Sequence, residues 1–166
     1  MKVRDIMTKN VITLQPDATL HKALETFTKK GISGAPVVKD GKLVGLVTQL
    51  DIIKVLDIYI PKIHLTSMPQ FFLVLAGLKS RRKTTELKKK LMAASRLTVE
   101  DFMNTDPVVI GKEADIMEAS RILNTYKVNR LPVIEKGKVI GIVTRNDIIR
   151  AVAKLDGNLY KTCRRK

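Results

Sequence analysis

Two short stretches of this sequence combine a glycine, a hydroxyl and a carboxylate at one fixed spacing: Gly45, Thr48 and Asp51, and again Gly141, Thr144 and Asp147. Each follows a run of aliphatic residues, so the pattern predicts the end of a strand and the start of a helix. At such a junction the threonine hydroxyl caps an early backbone N–H, and the acid favours the positive end of the helix. The same geometry suits a ligand. A helix N-terminus presents N–H groups to phosphate, the hydroxyl adds a donor, and a carboxylate three residues on accepts hydrogen bonds from a ribose diol. Glycine would let a ligand approach the backbone closely. From one copy alone, capping is the simpler reading. The doubling is what points to binding.

Little else in the chain offers chemistry. His21 and His64 are isolated; His21 reads as an exposed helix residue and His64 as a loop residue, and neither suggests a metal site. The single Cys163 excludes an internal disulfide framework and fits a reducing cytoplasm. No nucleophile–base arrangement, metal-ligand cluster or GxxxxGK[ST] phosphate loop is present, so catalysis is not expected. Met7 and Met103 read as fillers of core space rather than as flanks of a bound ligand.

The elements that must position the paired motifs follow in one order. A short β-rich run comes first, V-I-T-L at 11–14 and V-V-I at 108–110. A helix over about 18–30 follows, with Leu20, Ala23, Leu24 and Phe27 at helical spacing, matched by Ile116, Ala119, Ile122 and Leu123. The runs A-P-V-V and L-P-V-I predict brief strands entered through a proline. Next come the turns K-D-G-K and E-K-G-K, where Gly41 and Gly137 can accept positive φ. A second strand closes each hairpin, and a last helix starts after Thr48 or Thr144. The expected class is α/β (α+β), as β-α-β-β-α twice.

That order recurs because the chain contains itself twice. Moving Val3–Leu56 forward by 96 positions lays it on Val99–Val152 without a gap, with 15 of the 54 paired positions identical. An internal repeat decides architecture before any local reading does. The predicted organisation is repeat one at 1–56, an insert at 57–98, repeat two at 99–153 and a basic tail at 154–166. The insert is longer than connections usually are, and T-T-E-L-K-K-K-L-M-A-A-S-R-L within it reads as an amphipathic helix. The 166 residues carry a net charge of +15, of which the insert supplies +7 (nine Lys/Arg against two Asp/Glu) and the tail +4 (five against one). Hydrophobic residues are 45% of the chain, enough for a core. No apolar run approaches the roughly 20 residues of a membrane helix, and the start M-K-V-R-D carries no secretory pattern. A cytoplasmic protein without membrane attachment is expected.

The repeated unit resembles the CBS domain, named after cystathionine β-synthase, and the pair resembles a Bateman module. The likeness rests on D-I-M-T and A-P-V-V-K-D-G-K-L-V-G-L-V-T-Q-L-D, with D-F-M-N and L-P-V-I-E-K-G-K-V-I-G-I-V-T-R-N-D as counterparts. It implies pseudo-twofold packing of the repeats, a cleft for an adenosyl ligand beside each copy, and dimerisation. It implies that Asp51 and Asp147 grip ribose hydroxyls and that Thr48 and Thr144 lie near phosphates. Ser33, Gly34 and Ala35, like Asn129, Arg130 and Leu131, would border the adenine, and Ile12 and Val108 would contact the base from the first strand. Arg130 and Arg145 would meet phosphate, which guanidinium groups suit. Copy one has Gly34 and Gln49 at those two positions, so unequal affinities are expected.

The expected function is a non-catalytic regulatory homodimer that binds AMP, ADP, ATP or S-adenosylmethionine, requires no cofactor or metal, and acts on a separately encoded target. The alternative is a nucleic-acid-associated protein using Arg81, Arg82, Lys83, Lys88, Lys89, Lys90, Arg164, Arg165 and Lys166. Aromatic residues are only 4% of the chain and none interleaves with these basic runs, which leaves base stacking poorly supported.

Overall fold

The computed structural model describes residues 1–59, 94 and 96–163. Its elements are α1 (Val3–Ile6), α2 (Leu20–Lys30), β1 (Gly34–Lys39), β2 (Lys42–Thr48), α3 (Gln49–Tyr59), a 3-10 turn (Val99–Asp101), β3 (Ile110–Gly111), α4 (Ile116–Thr125), β4 (Arg130–Glu135), β5 (Lys138–Thr144) and α5 (Arg145–Cys163). The expected β-α-β-β-α order is complete in the second repeat. In the first, V-I-T-L contributes only Leu14, in a single parallel bridge to Val37. Pro16 lies two residues further on and has no N–H to carry a ladder forward. Of the amphipathic helix expected at 84–97 only Ala94, Arg96 and Leu97 are described, and Arg81, Arg82, Lys83, Lys88, Lys89, Lys90 and the last three tail residues lie outside the described residues.

Local chemistry accounts for the boundaries. The Thr19 side chain accepts from Lys22 N at the start of α2, and Asp115 accepts from Met117 N at the start of α4. Of the expected faces, Leu20, Ala23 and Phe27 on α2 and Ile116, Ala119 and Leu123 on α4 are buried, whereas Leu24 and Ile122 are half-buried. Both hairpins turn through two residues with positive φ, Asp40 (50°) with Gly41 (76°) and Lys136 (49°) with Gly137 (77°). That pair of angles is the turn whose twist matches the flanking strands. In the second hairpin Val133 pairs with Gly141 and Ile134 with Val139, so Ile140 forms a bulge one residue before the glycine of the motif.

The chain divides into two compact units, and neither is a repeat. One comprises Met1–Leu14, Ala35–Leu46 and the chain from Asn104 onward; the other comprises Gln15–Gly34 and Val47–Met103. In the first unit the three-stranded sheet β3-β4-β5 carries a core of Ile110, Leu131, Val133 and Val143, covered by Ala119 and Leu123 of α4 and Ile148 of α5. Val3, from the other repeat, completes that core. Its N–H donates to Ala114 O (2.9 Å), Arg4 N donates to Lys112 O (3.0 Å), and Thr8 exchanges two hydrogen bonds with Ile142. The exposed ion pair Arg4–Glu113 (2.6 Å) adds little to this anchoring.

The second unit repeats the arrangement 96 positions on. Val99 N donates to Ala18 O (2.7 Å) and Glu100 N to Pro16 O (2.9 Å), as Val3 and Arg4 do in the first unit. Val99, like Val3, has no exposed surface. Each repeat therefore lends its leading segment to the core begun by the other. Burying one such valine contributes about 2 kcal/mol.

Candidate functional site

The motif of the second repeat sits where β5 ends and α5 begins. Thr144 donates to Asp147 Oδ2 from its backbone N (2.8 Å) and from its Oγ1 (2.6 Å), and Asp147 N returns a bond to Thr144 Oγ1 (3.3 Å). In the first repeat Thr48 N and Thr48 Oγ1 meet Asp51 Oδ2 at the same 2.8 and 2.6 Å. Both pairs are half-buried, and among the described residues neither aspartate engages Oδ1 in a hydrogen bond. The helix cap is thus completed by a single oxygen of each carboxylate.

Capping alone also produces this geometry. Thr98 N and Oγ1 donate to Asp101 Oδ2 (2.7 and 2.8 Å) at the exposed 3-10 turn, and Lys2 N donates to Asp5 Oδ2 (2.7 Å) at α1. The Thr98 backbone N–H, and then its hydroxyl, hold the Asp101 carboxyl below the ordinary carboxylate range. What separates Asp147 from Asp101 is its surroundings. Asp147 lines a groove of about 250 Å³ with Met1, Asp5, Ile6, Arg150, Ala151 and Lys154, so α1 of the first repeat and α5 of the second form its two walls.

The remaining expected residues of the second repeat gather around the same strand end. Arg130 pairs with Thr144 and Leu131 with Val143 across β4 and β5, and the Asn129 carbonyl accepts from Arg145 N (3.2 Å). Asn129 is exposed, whereas Arg130 is 8% exposed and Leu131 has no exposed surface. Leu131 therefore presents no surface to a ligand. Val108 packs half-buried against the core. Arg145 turns elsewhere: its Nε donates to Val128 O (3.2 Å), and it lines a separate groove of about 520 Å³ between α4 and α5, with Leu123, Asn124, Lys127 and Ile148 among its neighbours. Arg145 and Asp147 thus line different grooves.

In the first repeat Thr48 and Asp51 fall in the second compact unit with Ser33 and Gly34, whereas Ile12 and Ala35 fall in the first. The Ser33 carbonyl accepts from Gln49 N (3.1 Å), repeating the Asn129–Arg145 contact. Ser33 is exposed, Ile12 is half-buried, and Gly34 and Ala35 are buried.

One expectation is corrected. Gly141 does not open the backbone to a ligand, because a Cβ there would stand 2.5 Å from Met7 Sδ and 3.0 Å from Met7 Cγ. The glycine makes room for a methionine of the other repeat. Met7 itself packs on the core, as its sequence context suggested. His21 is exposed, as expected. Sequence reasoning missed Arg150 and Lys154. They follow Asp147 at i+3 and i+7, a spacing that places all three on one helical face, but only the packing of α1 shows that this face borders a groove.

The CBS domain profile matches residues 3–58 and 99–154. This chain belongs to the CBS-domain family. The CBS pair is 34% identical over 154 residues to the Methanocaldococcus jannaschii protein MJ1426, covering 92% of this chain and 91% of that protein. It is 32% identical over 158 residues to the chloroplastic CBS domain-containing protein CBSX1 of Arabidopsis thaliana, covering 92% of this chain and 64% of that one. Among solved structures it resembles CBSX2 in complex with AMP (TM-score 0.68, 27% identity, covering 93% and 98% of the two chains). It also resembles the CBS domain of a CBS domain containing membrane protein from Sphaerobacter thermophilus (TM-score 0.71, 27% identity, covering 90% and 86%). Among the described residues no helix is long and apolar enough to cross a membrane, and no group of three or more His, Cys, Asp or Glu could hold a metal ion.

Proposed function

We propose that this CBS pair is a non-catalytic regulatory module that binds an adenosine compound (AMP, ADP, ATP or S-adenosylmethionine) and signals by a shift between conformations. One observation carries the reading: Asp147 completes its helix cap through Oδ2 alone, and the residue lines a groove. Oδ1 is then available to a ribose diol, and a hydrogen bond to a charged acceptor is about twice as strong as a neutral one. The likeness to CBSX2, whose crystal structure contains AMP, supports the same ligand class here. A ligand shifts the module only as far as it prefers one arrangement over another. In this reading a second copy covers the exposed apolar residues of α5, Ile149 and Val152, and light scattering would return the mass of a dimer.

Calorimetry against an adenosine panel tests the proposal. Asp147→Asn keeps an oxygen for the cap but loses the charged acceptor, so affinity at that site falls about tenfold while thermal stability changes little. Absence of heat with every adenosine compound at millimolar concentration would remove the reading.

A further inference from the structure

The groove between α4 and α5 is lined by the buried Leu123 and Ile148 and by two exposed cations, Lys127 and Arg145. The residues 96 positions earlier are Phe27, Ile52, Gly31 and Gln49. The apolar pair is kept in the first repeat and both cations are absent, so the fold does not require them. Lys127 is also held at a cost. Its φ of 55° is the left-handed conformation that Gly31 adopts without strain, and a side chain retained in such a conformation points to a use for it. Its Nζ reaches only the neutral amide oxygen of Asn124 (3.4 Å). Arg145 Nε donates to Val128 O (3.2 Å), which fixes the guanidinium beside the residue that follows Lys127. Among the described residues its terminal nitrogens form no hydrogen bond or ion pair. None of the described residues lining this groove is Asp or Glu.

We propose that this groove docks an acidic segment of a partner protein, with a carboxylate on Lys127 and Arg145 and an apolar side chain over Leu123 and Ile148. Charge identifies the partner as foreign. The chain's own insert and tail carry +7 and +4, so neither matches a cationic groove. A second copy carries +15 and would bring its own Lys127 and Arg145 to a twofold contact here. The volume of about 520 Å³ holds a few side chains. Apolar surface continues past it at Met117, which is 65% exposed and shares a face of α4 with Ser120 and Asn124. A small anion would leave that surface uncovered. The second copy assigned above to Ile149 and Val152 lies one and two turns further along α5 and leaves the Lys127–Arg145 end open.

The test is selection of binders to the full chain from a display library of random short peptides, followed by fluorescence anisotropy of the peptides recovered. The recovered sequences are expected to share Asp or Glu beside Leu, Ile or Phe. Lys127→Gly together with Arg145→Gln installs the first repeat's residues and should weaken their binding at least about tenfold. Lys39→Gln with Lys136→Gln removes the same charge at exposed positions outside the groove and should change affinity less than about twofold. An unfolding temperature no lower than that of the unaltered chain shows that the groove variant folds, and Arg145→Gln alone carries the same direction of effect. The proposal is overturned by recovery of no peptides, by peptides without acidic residues, or by an equal loss in both double variants. Displacement of the peptides by millimolar inorganic phosphate overturns it in favour of a small-anion site. Conversion of a dimer to a monomer by the groove variant, read by light scattering, overturns it in favour of a second copy.

Discussion

At the scale of single residues, the motif glycine shows how one residue type can serve two demands that look alike in sequence. Gly141 stands before Thr144 and Asp147, where close approach of a ligand is a natural reading, yet Met7 fills the space in front of it. Gly141→Ala brings a methyl group against Met7 Sδ and Cγ with only the rotation of Met7 to relieve it. Overpacking of this kind costs about 1–3 kcal/mol. Chemical denaturation should show that loss, and Met7→Ala in the same chain should recover part of it, because two residues in contact do not act additively. A loss that is the same with and without Met7 would mean that the backbone, and not the methionine, requires glycine.

At the scale of elements, the two repeats solve the same problem with unequal residues. Helix α2 ends at Gly31 with φ of 61°, the left-handed conformation that glycine adopts without steric cost. The equivalent position after α4 is Lys127, with φ of 55°. A side chain there meets the following carbonyl, at a cost of about 1–2 kcal/mol, partly offset because lysine has less backbone freedom to lose on folding than glycine. Lys127→Gly is therefore expected to stabilise the protein by about 0.5–1 kcal/mol, read as a higher denaturation midpoint with an unchanged slope. The hydrogen bond from Lys127 Nζ to Asn124 is long and exposed (3.4 Å), and its loss subtracts little. Destabilisation by this substitution would place the worth of Lys127 in its side chain.

At the scale of the whole molecule, the exchange of leading segments means that a repeat is not a folding unit. The core around Ile110, Leu131 and Val143 includes Val3, and the corresponding valine of the second repeat, Val99, is bonded to Ala18. A chain limited to residues 99–153 lacks Val3 and the strand partner that Thr8 provides for Ile142. Such a fragment is expected to show no cooperative unfolding transition, and a peptide of residues 1–14 added in excess should restore one, followed by circular dichroism. Cooperative folding of the fragment alone would show that the borrowed segment is dispensable.

Much of this was legible in the sequence, because it depends on neighbours along the chain. The helices α2 and α4, both hairpins and the two helix-opening Thr-x-x-Asp caps follow from periodicity, proline, glycine and capping chemistry within a dozen residues. The repeat itself is visible by direct comparison of positions 96 apart. The tertiary structure alone decided which residues meet across that distance: Met7 against Gly141, Val3 in the core of the other repeat, Arg145 and Asp147 facing different grooves, and Arg150 with Lys154 beside the capping carboxylate. Periodicity reports that a face is buried or exposed, whereas the partner of that face is chosen by packing between segments far apart in the chain, and no local pattern encodes that choice.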